Sequence, residues 1–280
     1  GTAIAGRHDT PFRKVGRTYD LFGDTIGDSR AIIRGRGAGV AISTAAQTFD
    51  PDESAVYDAD SAIARTTVGF DERTNNTIAY ITPDMGGFSA KLAYVSDWVD
   101  NNNDFDAYSV SAGYEIGGFM IDAAYEQHNA GDQFFGIDTA DIDYSDSEDA
   151  MRIGAGYKMG GFKVVGLYQS ISDAGFISGA DVDMWGLGGA YSFGKSTIKA
   201  QYYNADDVEG IDDSDAQLWA IGYDYKLSKQ TSVYAAYASM DQGTNSSGYD
   251  LASGTGHGES VNVGAGEEGN AFSVGVVHKF

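Results

Sequence analysis

From Phe119 to Glu126 the chain alternates: Phe119, Ile121, Ala123 and Tyr125 are apolar, while Met120, Asp122, Ala124 and Glu126 form a mostly polar second parity. A period of two is what a β-strand with one apolar face produces. This run follows another, and the pair hinges on two glycines in GYEIGGFMIDAAYEQ (Gly113 to Gln127). The same run, turn and run recurs in GYKMGGFKVVGLYQS (Gly156 to Ser170), and in diverged form in AYSFGKSTIKAQYYN (Ala190 to Asn204) and DYKLSKQTSVYAAYAS (Asp224 to Ser239). Each reads as a hairpin. Along the whole chain the pattern predicts about twelve strands: Gly1 to His8, Thr77 to Thr82, Phe88 to Ser96, Asp106 to Ile116, Phe119 to His128, Asp149 to Met159, Phe162 to Ile171, Asp181 to Phe193, Ser196 to Asn204, Asp215 to Leu227, Thr231 to Met240 and Asn270 to Phe280. Short glycine-rich turns alternate with long connections dense in Asp, Asn, Ser and Gly. A meander closed into a membrane barrel has that asymmetry between its two rims.

The aromatic residues extend the pattern. Phe88 and Tyr94, Tyr108 and Tyr114, Phe119 and Tyr125, Phe162 and Tyr168, Trp185 and Tyr191, and Trp219 and Tyr225 are each six residues apart, so both rings of a pair share a face. Six residues at roughly 3.3 Å span about 20 Å of strand, and a tilt near 40° projects this to roughly 15 Å of membrane depth. Small and aliphatic residues lie between the rings, as on the lipid-facing side of a barrel with aromatic belts. A soluble β-sandwich with a Tyr- and Phe-rich core explains any one pair. Recurrence on six strands, with charges at the opposite parity, favours the membrane reading.

Composition narrows the class. The 280 residues show no internal shift and are read as one all-β domain, 1–280. There is no cysteine, hence no disulfide or thiolate metal site. A net charge of −23 argues against nucleic acid, which needs a basic patch. No apolar run is long enough for a transmembrane helix, and no signal peptide is visible.

The stretches GTAIAGRHDTP and DLFGDTIGDSR, the NNTIAYITPDMGGFSAKLAYV hairpin and the terminal FSVGVVHKF together resemble the general diffusion porins of Gram-negative outer membranes. In the last stretch Phe272, Val274, Val276, His278 and Phe280 alternate up to a C-terminal Phe, similar to the family's assembly signal. The resemblance implies a homotrimer of sixteen-stranded antiparallel up-and-down transmembrane β-barrels. These would sit among outer-membrane lipid and lipopolysaccharide, each with a long loop folded into the lumen, and pass ions and small hydrophilic solutes without bond chemistry. That loop follows the fifth strand in the family. Here the longest non-strand region, Asp9 to about Asn76 (9–76), follows the first visible strand, so four upstream strands and the signal peptide are expected to lie outside this sequence.

In such a pore, selectivity comes from width and from charges facing one another across a constriction. Arg7 matches the position from which the family projects an arginine into the lumen, and Lys91, Arg152, Lys163 and Lys199 share the lumen-facing parity of their strands. Asp20, Asp24 and Asp28 are similar to the acidic side of the constriction loop. For each basic residue the competing reading is a hydrated wall position away from the narrow zone. GDSR (Gly27 to Arg30) lacks the partnered histidine a lipase would need, and His8, His128, His257 and His278 have no metal-ligand spacing. No cofactor is expected. The acidic stretches Asp50 to Asp60 and Ala205 to Asp215 have carboxylates enough for adventitious Ca²⁺ but not the twelve-residue loop order. The rival from another class is a secreted or surface acidic β-protein, a Ca²⁺-binding adhesin or lectin.

Overall fold

A computed structural model describes residues 1–35, 69–96, 106–129, 145–246, 248–251 and 261–279. It contains β1 (Thr2–Asp9), α1 (Pro11–Tyr19), α2 (Arg30–Ile33), β2 (Arg73–Ile81), β3 (Phe88–Ser96), β4 (Asp106–Ile116), β5 (Phe119–Asn129) and β6 (Ser147–Met159). There follow β7 (Phe162–Ser172), β8 (Val182–Phe193), β9 (Ser196–Ala205), β10 (Ala216–Lys226), β11 (Thr231–Gln242) and β12 (Glu268–His278). Each strand pairs with its sequence neighbours, giving one antiparallel twelve-stranded meander from β1 to β12. Among the described residues β1 and β12 are not paired with each other. The expected end of the last strand, Phe280, and the acidic stretch Asp50 to Asp60 lie outside the described residues.

The expected strands recur with small boundary changes. The largest is at β2, which starts at Arg73 rather than Thr77. There Gly6 pairs with Thr77 but His8 pairs with Thr74, a bulge that takes up the extra residue and puts Asn76 at φ 50°. The glycine pair of the hairpins has a direct cause: Gly117 and Gly118 have φ of 59° and 89°. A two-residue turn matched to strand twist needs positive φ at both positions.

All twelve rings of the six-residue pairs lie on the exposed outer face, together with Ile78, Leu92, Ile121, Leu187 and Ile221. They meet across strands: Phe162 and Tyr191 are directly paired and stacked at 4.3 Å, and Tyr94 and Tyr108 are directly paired at 5.1 Å. An apolar surface encircling the sheet would be an aggregation hazard in water. Against lipid it is the expected exterior.

The inner face has two halves. Near the short turns its side chains are partly accessible, among them Lys91, Asp122, Lys163 and Asp224. Toward the long connections it is covered: Ser109, Glu126, His128, Arg152, Gln169 and Leu218 are at most 4% exposed. What covers them is the chain between β1 and β2.

Candidate functional site

The covering segment begins with a helix. Thr10 caps α1, its Oγ1 accepting from Arg13 N–H at 3.2 Å, and Pro11 occupies the first turn, where its missing N–H costs nothing. Phe12, Val15 and Tyr19 fall on one stripe and are buried against the sheet. Gly16 and Gly154 permit this approach, since a Cβ at the first would strike Arg152 and one at the second the Tyr19 ring. The Tyr19 hydroxyl donates to Asp122 at 2.7 Å, and Phe12 N–H donates to Ser109 Oγ at 3.0 Å. Beyond α1 the chain turns through Phe22 to Asp28 into α2, where Ile32 and Ile33 are fully buried. The segment returns beside its departure: Phe70 N–H donates to Arg34 O at 2.9 Å, and Arg34 pairs with Glu72.

Arg152 holds this arrangement together. Its Nη1 donates to Phe12 O at 3.0 Å and to Asp71 Oδ1 at 2.9 Å. Its Nη2 donates to Ile33 O at 3.2 Å and, with Nε, to Gln169 Oε1. Gln169 Nε2 donates to Ile33 O at 2.8 Å. With 0% exposure, Arg152 does not face water as the parity argument expected; it is an anchor, because the infolded segment lies over its position. Asp71 meets it fully buried, and that burial pushes the carboxyl up despite Arg152 and Arg13 beside it.

The acidic side of the expected constriction is also rearranged. Asp28 is 0% exposed and bonded to Arg30 at 2.8 Å, so it is a structural ion pair and not a lumen charge. Its burial would raise the carboxyl, but the Arg30 guanidinium and two backbone N–H groups hold it below the ordinary range. Asp20 accepts from Phe22 N–H at 2.8 Å and from Gln201 Nε2 at 2.9 Å. Burial, then the neighbouring Asp28 charge, pushes its carboxyl up to about 8, toward the neutral form. Asp24 alone of the three is open, with its side chain 53% exposed between Arg17 at 2.7 Å and Arg30 at 3.2 Å.

Of the basic residues, Lys91 and Lys163 are half-buried on the inner face. Lys199 lies there too, 3.0 Å from Asp224 and 4.7 Å from the Phe22 ring of the segment. Arg7 sits exposed at the bulge between β1 and β2.

Sequence reading missed α1, Gln201 and a buried cluster in which His128 lies 3.1 Å from Glu126 and 2.8 Å from Glu148, stacked on Phe70 at 4.3 Å. The helix had a local signal, Thr10-Pro11 followed by Phe12, Val15 and Tyr19. The other two depend on long-range docking. Ala205 to Asp215 is closed by its own bonds: Asp207 Oδ1 accepts from Ser214 N–H at 2.7 Å, and Ser214 Oγ from Val208 N–H at 2.8 Å.

A meander that is apolar outside and carries a polar segment against its inner face is the architecture of a transmembrane β-barrel channel of the outer-membrane type. The family model for Gram-negative porins matches residues 1–245, and the chain belongs to that family. Among solved structures it is similar to an anion-selective porin from Comamonas acidovorans, with TM-score 0.69 and 23% identity over 100% of this chain and 74% of that one. It is similar to the outer-membrane OmpT of Vibrio cholerae, with TM-score 0.65 and 16% identity over 99% and 76% of the two chains. For the OmpF of Salmonella typhi, solved with daunomycin, the TM-score is 0.55 at 16% identity over 80% and 68%. A comparison with curated proteins finds no match. The protein is an outer-membrane channel of Gram-negative bacteria for passive diffusion of small solutes. The adhesin reading is thereby set aside.

Proposed function

We propose that the segment from Thr10 to Ile33 forms the narrow zone of a water-filled pore that does no bond chemistry, and that the zone favours anions despite the chain's overall charge. The observation that carries this is the fate of the three aspartates. Asp28 is neutralised by Arg30, Asp20 is held by Phe22 N–H and Gln201 Nε2 with its carboxyl pushed up toward the neutral form, and Asp24 is shared by Arg17 and Arg30. Lys91, Lys163, Lys199 and Arg17 remain on or facing the lumen, against Asp24, Asp122 and Asp224, of which Asp24 is paired with Arg17 and Asp224 with Lys199. A charge in a narrow low-dielectric passage acts at close range and is incompletely screened. Arg7, exposed at the bulge between β1 and β2, is assigned to the basic side by the family resemblance. Among the described residues no strand pairs with the outer edges of β1 and β12, which supports closure by further strands, since lipid cannot satisfy free N–H and C=O groups. The family resemblance supports a homotrimer in contact with lipopolysaccharide.

Reversal potentials of the closed channel across a salt gradient test the reading. Lys163→Gln and Arg7→Gln should each lower the anion-to-cation permeability ratio, and Asp24→Asn should raise it. Asp28→Asn should shift it least if the channel folds, because Asp28 does not face water. A cation-preferring wild-type channel would reject the proposal.

A further inference from the structure

We propose that the lumen is electrically polar along its axis, acidic at the long-connection mouth and basic at the short-turn mouth, and that the channel therefore rectifies ionic current. The inference rests on the channel reading and goes beyond it, since a constriction alone sets which ions pass and not in which direction they pass more easily.

The lysines carry it. Of the nine in the chain, all but Lys14 stand on the short-turn half. Lys158 and Lys163 are direct cross-strand partners of β6 and β7, and the same row continues through Ala190 to Lys199. Like charges placed directly opposite each other destabilise a sheet. They are tolerable where the lumen supplies anions. Below this row Lys226 N–H donates to Lys195 O at 2.9 Å, and Lys195, Lys226, Lys229 and Lys279 line a groove of about 610 Å³ together with Ser228, Thr231 and Ser232; no Asp or Glu is among its described lining residues.

The opposite mouth has the opposite sign. Asp206, Asp207, Glu209, Asp212, Asp213 and Glu267 are exposed at the long-connection end. The balance is net of the minority charges at each end: Asp84, Glu115, Asp122 and Asp224 stand among the lysines of the short-turn half, and Arg7, Lys14 and Arg73 are exposed at the other. A chain of net charge −23 has nonetheless concentrated its lysines at one end of the pore.

Two oppositely charged zones in series conduct asymmetrically. With the long-connection side positive, cations enter through the acidic zone and anions through the basic zone, so each ion passes first the zone that enriches it. Both accumulate at the junction and conductance rises. With the polarity reversed, each ion meets the repelling zone first, and the junction is depleted. The effect requires zones that are not screened out. Its range is about 30 Å at 0.01 M salt and about 3 Å at 1 M.

Single-channel recording in planar bilayers tests this. These 280 residues have no cysteine, and in a closed channel whose added strands are also free of cysteine Glu209→Cys gives one site for a biotin that streptavidin reaches from one side only, which fixes the orientation. At about 0.01 M salt the current ratio between opposite voltages should be roughly 2 or more, larger with the long-connection side positive, and should fall toward 1 at about 1 M. Lys158→Gln with Lys163→Gln, and separately Asp212→Asn with Asp213→Asn, should each reduce the ratio while shifting the permeability ratio in opposite directions. A symmetric current at low salt, or rectification of the opposite sign, overturns the axial polarity and leaves the channel intact. Absence of conductance in the closed protein would overturn the channel itself.

Discussion

Arg152→Met tests whether this side chain anchors the infolded segment or lines the pore. The substitution removes donors to Phe12 O, Asp71 Oδ1, Ile33 O and Gln169 Oε1. Ile33 O keeps Gln169 Nε2, so the main loss is an Asp71 carboxylate left buried opposite an apolar side chain. Breaking one side of a buried pair costs about 3–5 kcal/mol, whereas replacing both sides by apolar groups is often close to neutral. The double variant Arg152→Met with Asp71→Leu should therefore recover most of that loss, short of about 1 kcal/mol for the remaining unmade bonds. Urea unfolding in lipid vesicles, followed by tryptophan fluorescence, measures the stability. Single-channel noise measures the docking: the single variant should show larger and noisier current steps as the segment leaves the wall, and the double variant quieter ones. A pore-lining arginine behaves differently, shifting selectivity toward cations with unchanged noise and unfolding midpoint. That result would refute the anchoring role.

Leu187→Arg should cut the yield of folded barrel in vesicles, since charge near the membrane midplane costs about 2–4 kcal/mol and less toward the interface; Tyr125→Asp should do the same. Glu126→Gln, on the covered inner face and still able to accept from His128, should do so less, and the reverse ranking would mean that the faces are inverted. Asp20 gives a pH dependence of definite sign: its carboxyl is raised from 3.8 to about 8 in the folded chain, so the folded form holds a proton that the unfolded form has released, and its contribution to stability falls as pH rises across that window. Asp20→Asn should be increasingly stabilising relative to wild type from pH 5 to 8 in urea titrations, and a difference that stays flat counts against the buried proton. The outer edges of β1 and β12, which no described strand covers, predict that the 280-residue polypeptide reconstituted by itself gives no stable conductance steps.

Strand order, faces and turns were legible because they are local. The alternation around Phe119 to Glu126 states which side chains share a face, and the Gly117-Gly118 pair states where the chain reverses. Lumen exposure was not legible, because parity assigns a residue to the inner face without saying what else lies there. Arg152 and Lys163 lie on the same inner face and are both basic, yet one is sealed under α1 and the other is only half-buried. Asp28 was misread for a related reason: its partner Arg30 is two residues away, but their shared burial arises only when α2 docks against β8, β9 and β10. The helix α1 has a local signal in Thr10-Pro11 and the Phe12, Val15, Tyr19 spacing, but it is one short element inside a long connection whose remaining residues carry no such period.

The bond from Phe70 N–H to Arg34 O, with the Arg34–Glu72 pair beside it, brings the two ends of residues 36–68 together at one point on the wall. The flanks are thereby held at a fixed separation whatever lies between them. The entropy of closing a chain across fixed ends grows only as the logarithm of its length, roughly 0.6 kcal/mol for each doubling. A change in the number of residues between Gly35 and Gly69 should therefore cost the fold little through closure alone.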